Sequence, residues 1–285
     1  MKKWIVLALS VVLTSASAIL VKGADVDGRA AALYRVAFAL IAIAPIFLAR
    51  RRRADRPRDV LACLVGGVFF GIDLAFWNVS VMISSATVTT LLVNLSSVWV
   101  GIGAYLFFKE KSNAIHWIAN AIALAGVAIV LGPESLIRLR LELGSLFALI
   151  ASLFLGLYML MAKKARIGMD AVSVLFYASI GSVAVLLPVC LIGRVPIGGF
   201  PLSSWLYLGC IGLLVQVGGY LAINYSLGQL PSAKVSLALL AQPVLTAIIA
   251  SSLLGEAIGS REALGGAVVL SGLGMSFALE KRGPG

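Results

Sequence analysis

The sequence predicts an all-α membrane protein, ten transmembrane helices built as two inverted five-helix repeats. Three observations predict it. The chain of 285 residues is 61% hydrophobic and 12% charged, with a mean hydropathy of +1.04. A water-soluble domain carries charge on about a quarter of its residues, so the solvent of this chain is lipid. Its cations gather at the ends of the apolar runs. Its second half repeats the first.

The first apolar run, 4–22, follows Lys2 and Lys3 and contains Ala16-Ser17-Ala18, which could end a cleaved leader. The run continues to Val21, and the repeat needs it, so it is read as a helix. Windows of about 19 residues place the others at 29–49, 59–84, 86–108, 114–132, 143–163, 169–192, 203–226, 232–254 and 261–280. Each can cross a hydrocarbon core that needs about 20 residues of helix. Pro57, Ser112, Pro133, Pro196, Pro231 and Ser260 open or break the connections.

Direction follows from the Lys/Arg bias. With the N-terminus inside, 16 of the 23 cations fall on inner segments, including Arg50 to Arg53, and 6 on outer ones; Arg35 lies within the second run. Both termini are therefore expected in the cytoplasm of a multi-pass protein of the cell (inner) membrane. The net charge of +11 is read as topology, not nucleic-acid binding. Arg50 to Arg53 are read as an anchor, with anionic membrane lipids as the sharper alternative. Cys63, Cys190 and Cys210 form no CxxC pair, and a single histidine, His116, supports no metal site. No cofactor is expected.

The repeat lies at an offset of 146. Asn78 falls on Asn224, Ser80 on Ser226, Leu91 on Leu237, Val98 on Val244, Ala104 on Ala250, Glu110 on Glu256, Ala121 on Ala267 and Gly126 on Gly272, without a gap. Upstream the offset shrinks: Lys22 meets Lys163, and Pro45 meets Pro188. The repeats are 1–132 and 143–285. Five helices is an odd number, so the second set enters the membrane inverted, an arrangement that places binding sites near the midplane between the halves.

The stretch "FWNVSVMISSATVTTLLVNLSSVWVGIGAYLFFKEKSNAIHWIANAIALAGVAIVL" and its repeat "NYSLGQLPSAKVSLALLAQPVLTAIIASSLLGEAIGSREALGGAVVLSGLGM" resemble the signature of ten-helix EamA-type drug/metabolite transporters. Glu110 and Gly126 stand at its marked positions. The resemblance implies export or uptake of small organic metabolites without ATP, and the absence of a GxxxxGK[ST] loop agrees. It also implies a central cavity lined by the first, third, fourth, sixth, eighth and ninth helices. One departure is Ser97, where the family has a proline; the ninth helix keeps Pro243. The halves are expected to bend differently.

Polar groups inside the runs nominate the site. Asp73 lies mid-helix, where an ionised carboxylate costs about 3 kcal/mol or more. It binds a cationic group or cycles a proton, pairs with Arg35, or stays protonated. Trp77, one turn on, could hold an ammonium by its ring face or simply pack. Thr87, Thr90, Asn94, Ser97 and Gly101 form one small, polar face, which lines a cavity or seats a helix; Asn94 is the preferred contact. Gln216, Tyr220 and Asn224 form a second stripe. Asn78 and Asn224 are repeat mates toward opposite sides, hence gates or fixed interhelical bonds. Tyr158 and Gln242, the latter beside Pro243, complete the cavity residues that the resemblance implies. Ala121/Ala125 and Ala267/Ser271 are expected to seat helix on helix. Glu110 and Glu256 are expected to serve the N-termini of the fifth and tenth helices. Lys22 and Lys163 are expected to snorkel, or else to catch a substrate carboxylate.

The expected activity is secondary active transport, by alternating access around a midplane cavity, of a small amphipathic zwitterionic or cationic metabolite such as an amino acid or amine. Export is the leading direction, with a proton or substrate gradient as the energy source. The alternatives are a broad-specificity drug exporter and a membrane-embedded lipid-modifying enzyme; no HExxH or GxSxG motif favours the latter.

Overall fold

A computed structural model describes residues 1–50, 56–83, 89, 92–110, 114–131, 143–254 and 259–279. Thr87, Thr90, Arg51 to Arg53 and Glu256 lie outside the described residues. Those described form only helices and their connections: α1 (Lys2–Ser15), α2 (Ser17–Ala24), α3 (Gly28–Ala49), α4 (Pro57–Ile83), α5 (Ser96–Phe108), α6 (Ala114–Leu131), α7 (Leu143–Ala165), α8 (Ala171–Ile192), α9 (Leu202–Cys210), a π-helical segment (Ile211–Gly219), α10 (Tyr220–Leu227), α11 (Ser232–Leu239), α12 (Gln242–Leu254) and α13 (Ser260–Leu279). Seven stretches are long and apolar enough to cross a membrane: Lys2–Ala24, Gly28–Ala49, Pro57–Ile83, Leu143–Ala165, Ala171–Ile192, Leu202–Leu227 and Ser232–Ile249. Leu92–Phe108, Ala114–Ile129 and Ala263–Ser276 are apolar but shorter.

Small and hydroxylic residues decide where the rods bend. Ser10, Thr14 and Ser15 each donate a side-chain bond back to a carbonyl three or four residues earlier, on Leu7, Ser10 and Val11, at 2.6–2.7 Å. Such back-bonding competes with the helix ladder, and the first rod is interrupted at Ala16. Further on, Leu95 and the pair Leu240-Ala241 interrupt the two rods that follow the repeat's start. These breaks coincide under the 146 offset. In the second half Pro243 has no N–H to give the preceding turn. In the first half the Ser97 hydroxyl bonds back to Asn94 O at 3.0 Å. Two chemistries interrupt one position.

Packing maps onto itself when the halves are exchanged. Helix α4 packs on α7 and α8; the α9–π–α10 rod packs on α1 and α3; α5 packs on α7, and α11–α12 on α1. Glycines let these backbones meet. A Cβ on Gly67 would strike Ala178 of α8, and the Ser182 hydroxyl bonds Gly67 O at 2.8 Å.

The seam between α6 and α13 is reciprocal. A Cβ on Gly126 would lie 2.5 Å from Val269 N and 2.9 Å from Gly265 O; one on Gly272 would lie 2.9 Å from Ala123 N and 2.8 Å from Ala119 O. Under the offset, Ala119 becomes Gly265 and Ala123 becomes Val269. The contact is self-complementary: each glycine meets the backbone at the positions that correspond under the offset. The seat is not where the sequence put it: Ala121, Ala125, Ala267 and Ser271 are exposed, and Ala119, Ala123, Gly126, Gly265, Val269 and Gly272 are buried. Two small stripes run along each helix about a third of a turn apart, and only packing distinguishes them.

Candidate functional site

Three rods converge on Arg35 of α3. Its guanidinium Nε donates to Gln216 Oε1 at 2.8 Å, and Nη1 donates to Ser17 Oγ at 3.2 Å. Its Cζ lies 5.1 Å from the centroid of the Tyr220 ring and 5.8 Å from that of Phe70. Arg35 is 4% exposed and Gln216 1%. Removing a guanidinium from water is costly; neutral acceptors and ring faces offset part of that cost here. Gln216 reaches it from the π segment, whose Gly212 and Gly219 approach Phe38 of α3 and Thr14 of α1. Wide-wound segments are frequent at functional sites.

An aromatic floor extends from this point. Phe70 lies 4.6 Å from Tyr158 and 4.7 Å from Tyr220, ring centroid to ring centroid. The Tyr158 hydroxyl donates to Asn224 Oδ1 at 3.1 Å. Gln216, Tyr220, Tyr158 and Asn224, named from sequence, are thus brought together, joined by Arg35 and by Phe70, which sequence reading passed over as oil.

Asp73 stands one turn along α4 from Phe70. It is 4% exposed, feels the charge of Arg35, and makes no hydrogen bond or ion pair with a described residue. A buried carboxylate without a partner is rare and costly. The contact pair between Asp73 and Arg35 that the sequence allowed is not formed within the 4.0 Å of an ion pair.

The other nominated residues lie apart from this cluster. Trp77 packs against the buried cluster of Val21, Ala24, Ala31, Leu208 and Ile211. Asn78 Nδ2 donates to Leu74 O at 2.7 Å, and its Oδ1 has no partner among the described residues; the same is true of Nδ2 of its mate Asn224. Asn94 is buried beside Ser97, which donates to Asn120 Oδ1 at 2.9 Å, while Gly101 abuts Trp117. That face therefore seats α6. Gln242 Nε2 donates to Thr14 Oγ1 at 2.5 Å, and Thr246 donates to Ser15 O at 2.8 Å. The broken rods α1–α2 and α11–α12 meet at their breaks.

Glu110 reaches across to the other half. Its carboxylate accepts from Ser232 N and Ser232 Oγ, both at 3.0 Å, and lies 3.6 Å from Lys163 Nζ. It serves the N-terminus of α11; residues 111–113, between it and α6, lie outside the described residues. Lys163, expected to snorkel, also donates to Leu230 O at 2.8 Å. Its repeat mate Lys22 is exposed. Two further mates escaped notice in the sequence: Asp27 caps α3 through Arg29 N, and Asp170 caps α8 through Val172 N and Ser173 N. Their spacing equals that of Pro45 and Pro188, and an N-cap aspartate before an apolar run is the signal that could have found them.

Comparison with known proteins agrees with this architecture. The profile described as "EamA-like transporter family" matches residues 2–132 and 142–278. An uncharacterized transporter of Clostridium kluyveri is 24% identical, over 77% of this chain and 72% of its own length. An S-adenosylmethionine uptake transporter of Rickettsia felis is 22% identical, over 73% and 70%. A probable terminal-alkyne amino-acid exporter of Streptantibioticus cattleyicolor is 24% identical, over 88% and 84%. A crystal structure with 16% identity superposes with a TM-score of 0.83 over 99% of each chain, which is a likeness of fold.

Proposed function

We propose, on the premise that this chain belongs to the EamA-like transporter family, that it is a secondary active transporter of a small amphipathic zwitterionic or cationic metabolite. The family and the named relatives are transporters of the membrane, not enzymes. The ten runs are ten spans in two inverted halves, with both termini in the cytoplasm of the inner membrane. The reciprocal Gly126/Gly272 seam and the exchangeable packing pairs support that arrangement. The halves rock about the seam and open one central site to each side in turn. Export is the direction we favour, driven by a proton or substrate gradient; one named relative exports an amino acid and another takes up S-adenosylmethionine.

The observation that carries this reading is Asp73. Polar groups at such depth face the bundle interior or a wet cavity and mark substrate and ion pathways. A buried carboxylate outside any ion pair, one turn along α4 from the Phe70 ring that also meets Arg35, is suited to receive an ammonium or a proton. Tyr158, Tyr220 and Gln216 gather around Arg35 and Phe70 and form one wall of the site; Asn94, Trp77 and Gln242, which lie apart from this cluster, are assigned as contacts made when the halves rock; Asn78 and Asn224, each with a spare amide atom, close the two ends in alternation.

The test is counterflow in proteoliposomes with Asp73→Asn. We expect saturable exchange to fall about 10- to 100-fold, the range for loss of a charge-assisted contact, with the protein still inserted and monodisperse. Undiminished exchange by that variant removes Asp73 from the mechanism, and unsaturable flux by the unaltered protein makes it a pore.

A further inference from the structure

We infer that Arg35 is the carboxylate-recognising pole of the site, so that the substrate is an obligate zwitterion whose carboxylate meets Arg35 and whose ammonium meets Asp73. The inference rests on the transport reading above and narrows its substrate from "zwitterionic or cationic" to zwitterionic alone.

A guanidinium carries five N–H donors in a planar fork suited to a carboxylate. Here the fork meets a side-chain amide oxygen, a serine hydroxyl and a tyrosine, all neutral. No carboxylate of a described residue lies within ion-pair distance. An arginine kept only for structure would be expected to close on the carboxylate whose field it already feels, Asp73. Instead both groups are buried, each at 4% exposure, and no ion pair joins them.

The hold is visible. Gln216 and Ser17 take Nε and Nη1 from the second half and from α2, while Phe70 and Tyr220 cover the guanidinium with their ring faces. Asp73 sits on α4, the helix that also carries Phe70. The two groups are therefore held by separate supports, farther apart than an ion pair.

Charge accounting then chooses the ligand. A simple amine would neutralise Asp73 and leave Arg35 buried with no anion at all. A simple carboxylate would satisfy Arg35 and leave Asp73 stranded. A molecule with both groups satisfies both at once and adds no net charge to a low-dielectric site. Unpartnered buried charge costs far more than a lost contact, so the site discriminates by what a wrong ligand leaves bare. A site built to bond a polar group rejects analogues that lack it in this way.

The experiment uses the full chain in proteoliposomes and a panel of amino acids, each presented in three forms: the free amino acid, its decarboxylated amine and its deaminated acid. Phenylalanine, 2-phenylethylamine and 3-phenylpropionate are one such set; leucine, methionine and lysine supply others. For whichever side chain is carried, we expect the amino acid to exchange about tenfold or more faster than either partial form. Arg35→Gln should lower exchange of the amino acid by a similar factor while narrowing its advantage over the amine. Arg35→Lys, which keeps the charge but not the fork, should fall between, and both variants are checked for insertion and monodispersity. If the amine is carried as well as the amino acid, or if Arg35→Gln preserves the preference, Arg35 is a structural cation and the inference is overturned, with the transport reading intact. Should no form of any compound exchange, the transport reading fails and takes the inference with it.

Discussion

The two halves share a frame and differ in what they place on it. Arg35 and Asp73, the buried charges, both belong to the first half. The offset puts Ala178 opposite Arg35 and Gly219 opposite Asp73. The second half supplies Tyr158, Gln216, Tyr220 and Asn224, all neutral. Duplication thus gives two similar walls, while charge sits on one of them. A symmetric frame can reverse its opening by exchanging the roles of its halves. An asymmetric site holds a polar ligand in one orientation throughout. On the proposed function, the frame would carry the motion and the departures from it the recognition.

The seam offers the most severe way to break this comparison. Gly126→Val and Gly272→Val each drive a side chain into the facing backbone. Overpacking typically costs about 1–3 kcal/mol, and backbone yields less readily than side chain. We expect both variants to lose most of their folded yield in detergent, and to lose it equally. A variant at one glycine that melts like the parent, beside a collapsed mate, would show that the seam is not two-fold.

A smaller effect contrasts the two ends. Glu110 joins Ser232 and Lys163, whereas Lys22, the mate of Lys163, is exposed. Hydrogen bonds to charged groups contribute about 1.5–3 kcal/mol, and the partial exposure of this pair discounts that figure. We expect Glu110→Gln and Lys163→Met to lower the melting temperature measurably, and Lys22→Met to stay within about 0.5 kcal/mol of the parent, the usual range for a surface change. Equal sensitivity of Lys22 and Lys163 would erase the difference between the ends.

The mildest contrast concerns the caps. Replacing an N-cap aspartate costs about 1 kcal/mol, so Asp27→Ala and Asp170→Ala should each give a small, similar loss. Asp27 has an added pH signature. Its side-chain bond to Arg29 holds its carboxyl below the usual carboxylate range. A carboxyl whose folded value is lowered stabilises above its unfolded value near 3.8 and loses that contribution as pH falls through the folded value. The deficit of Asp27→Ala, followed by thermal unfolding, should therefore be full at neutral pH and shrink in acid; a deficit constant to the lowest pH reached would assign it to backbone entropy instead.

Much of the frame was legible in the sequence because lipid is an exacting solvent. It demands about 20 apolar residues per crossing, and the expected limits fall within about three residues of those observed wherever the chain is described. The stripe of Gln216, Tyr220 and Asn224 was legible for the same reason, since polarity at depth stands out. Other features were not. Arg35 meets Gln216 across 181 positions, and no local spacing announces such a contact. Phe70 was indistinguishable from its apolar neighbours until packing chose it. Ala121 was read as the seat and Gly126 only as a signature position, because a period of 3.6 residues shows two small stripes without ranking them. The π segment has no composition of its own; it follows from glycines at 212, 218 and 219 that let α3 and α1 press close.

That segment has a consequence for engineering. From Ile211 to Gly219 the coil holds more residues per turn than the helices on either side. Deleting one residue there, ahead of Gln216, would restore ordinary winding and leave α10 in phase, because the wider turns absorb one extra residue. Gln216 would be drawn round from the guanidinium while Tyr220 kept its place, though no side chain had been exchanged. A single-codon deletion in this stretch thus tests the proposed site in a way that substitution scanning would never reach.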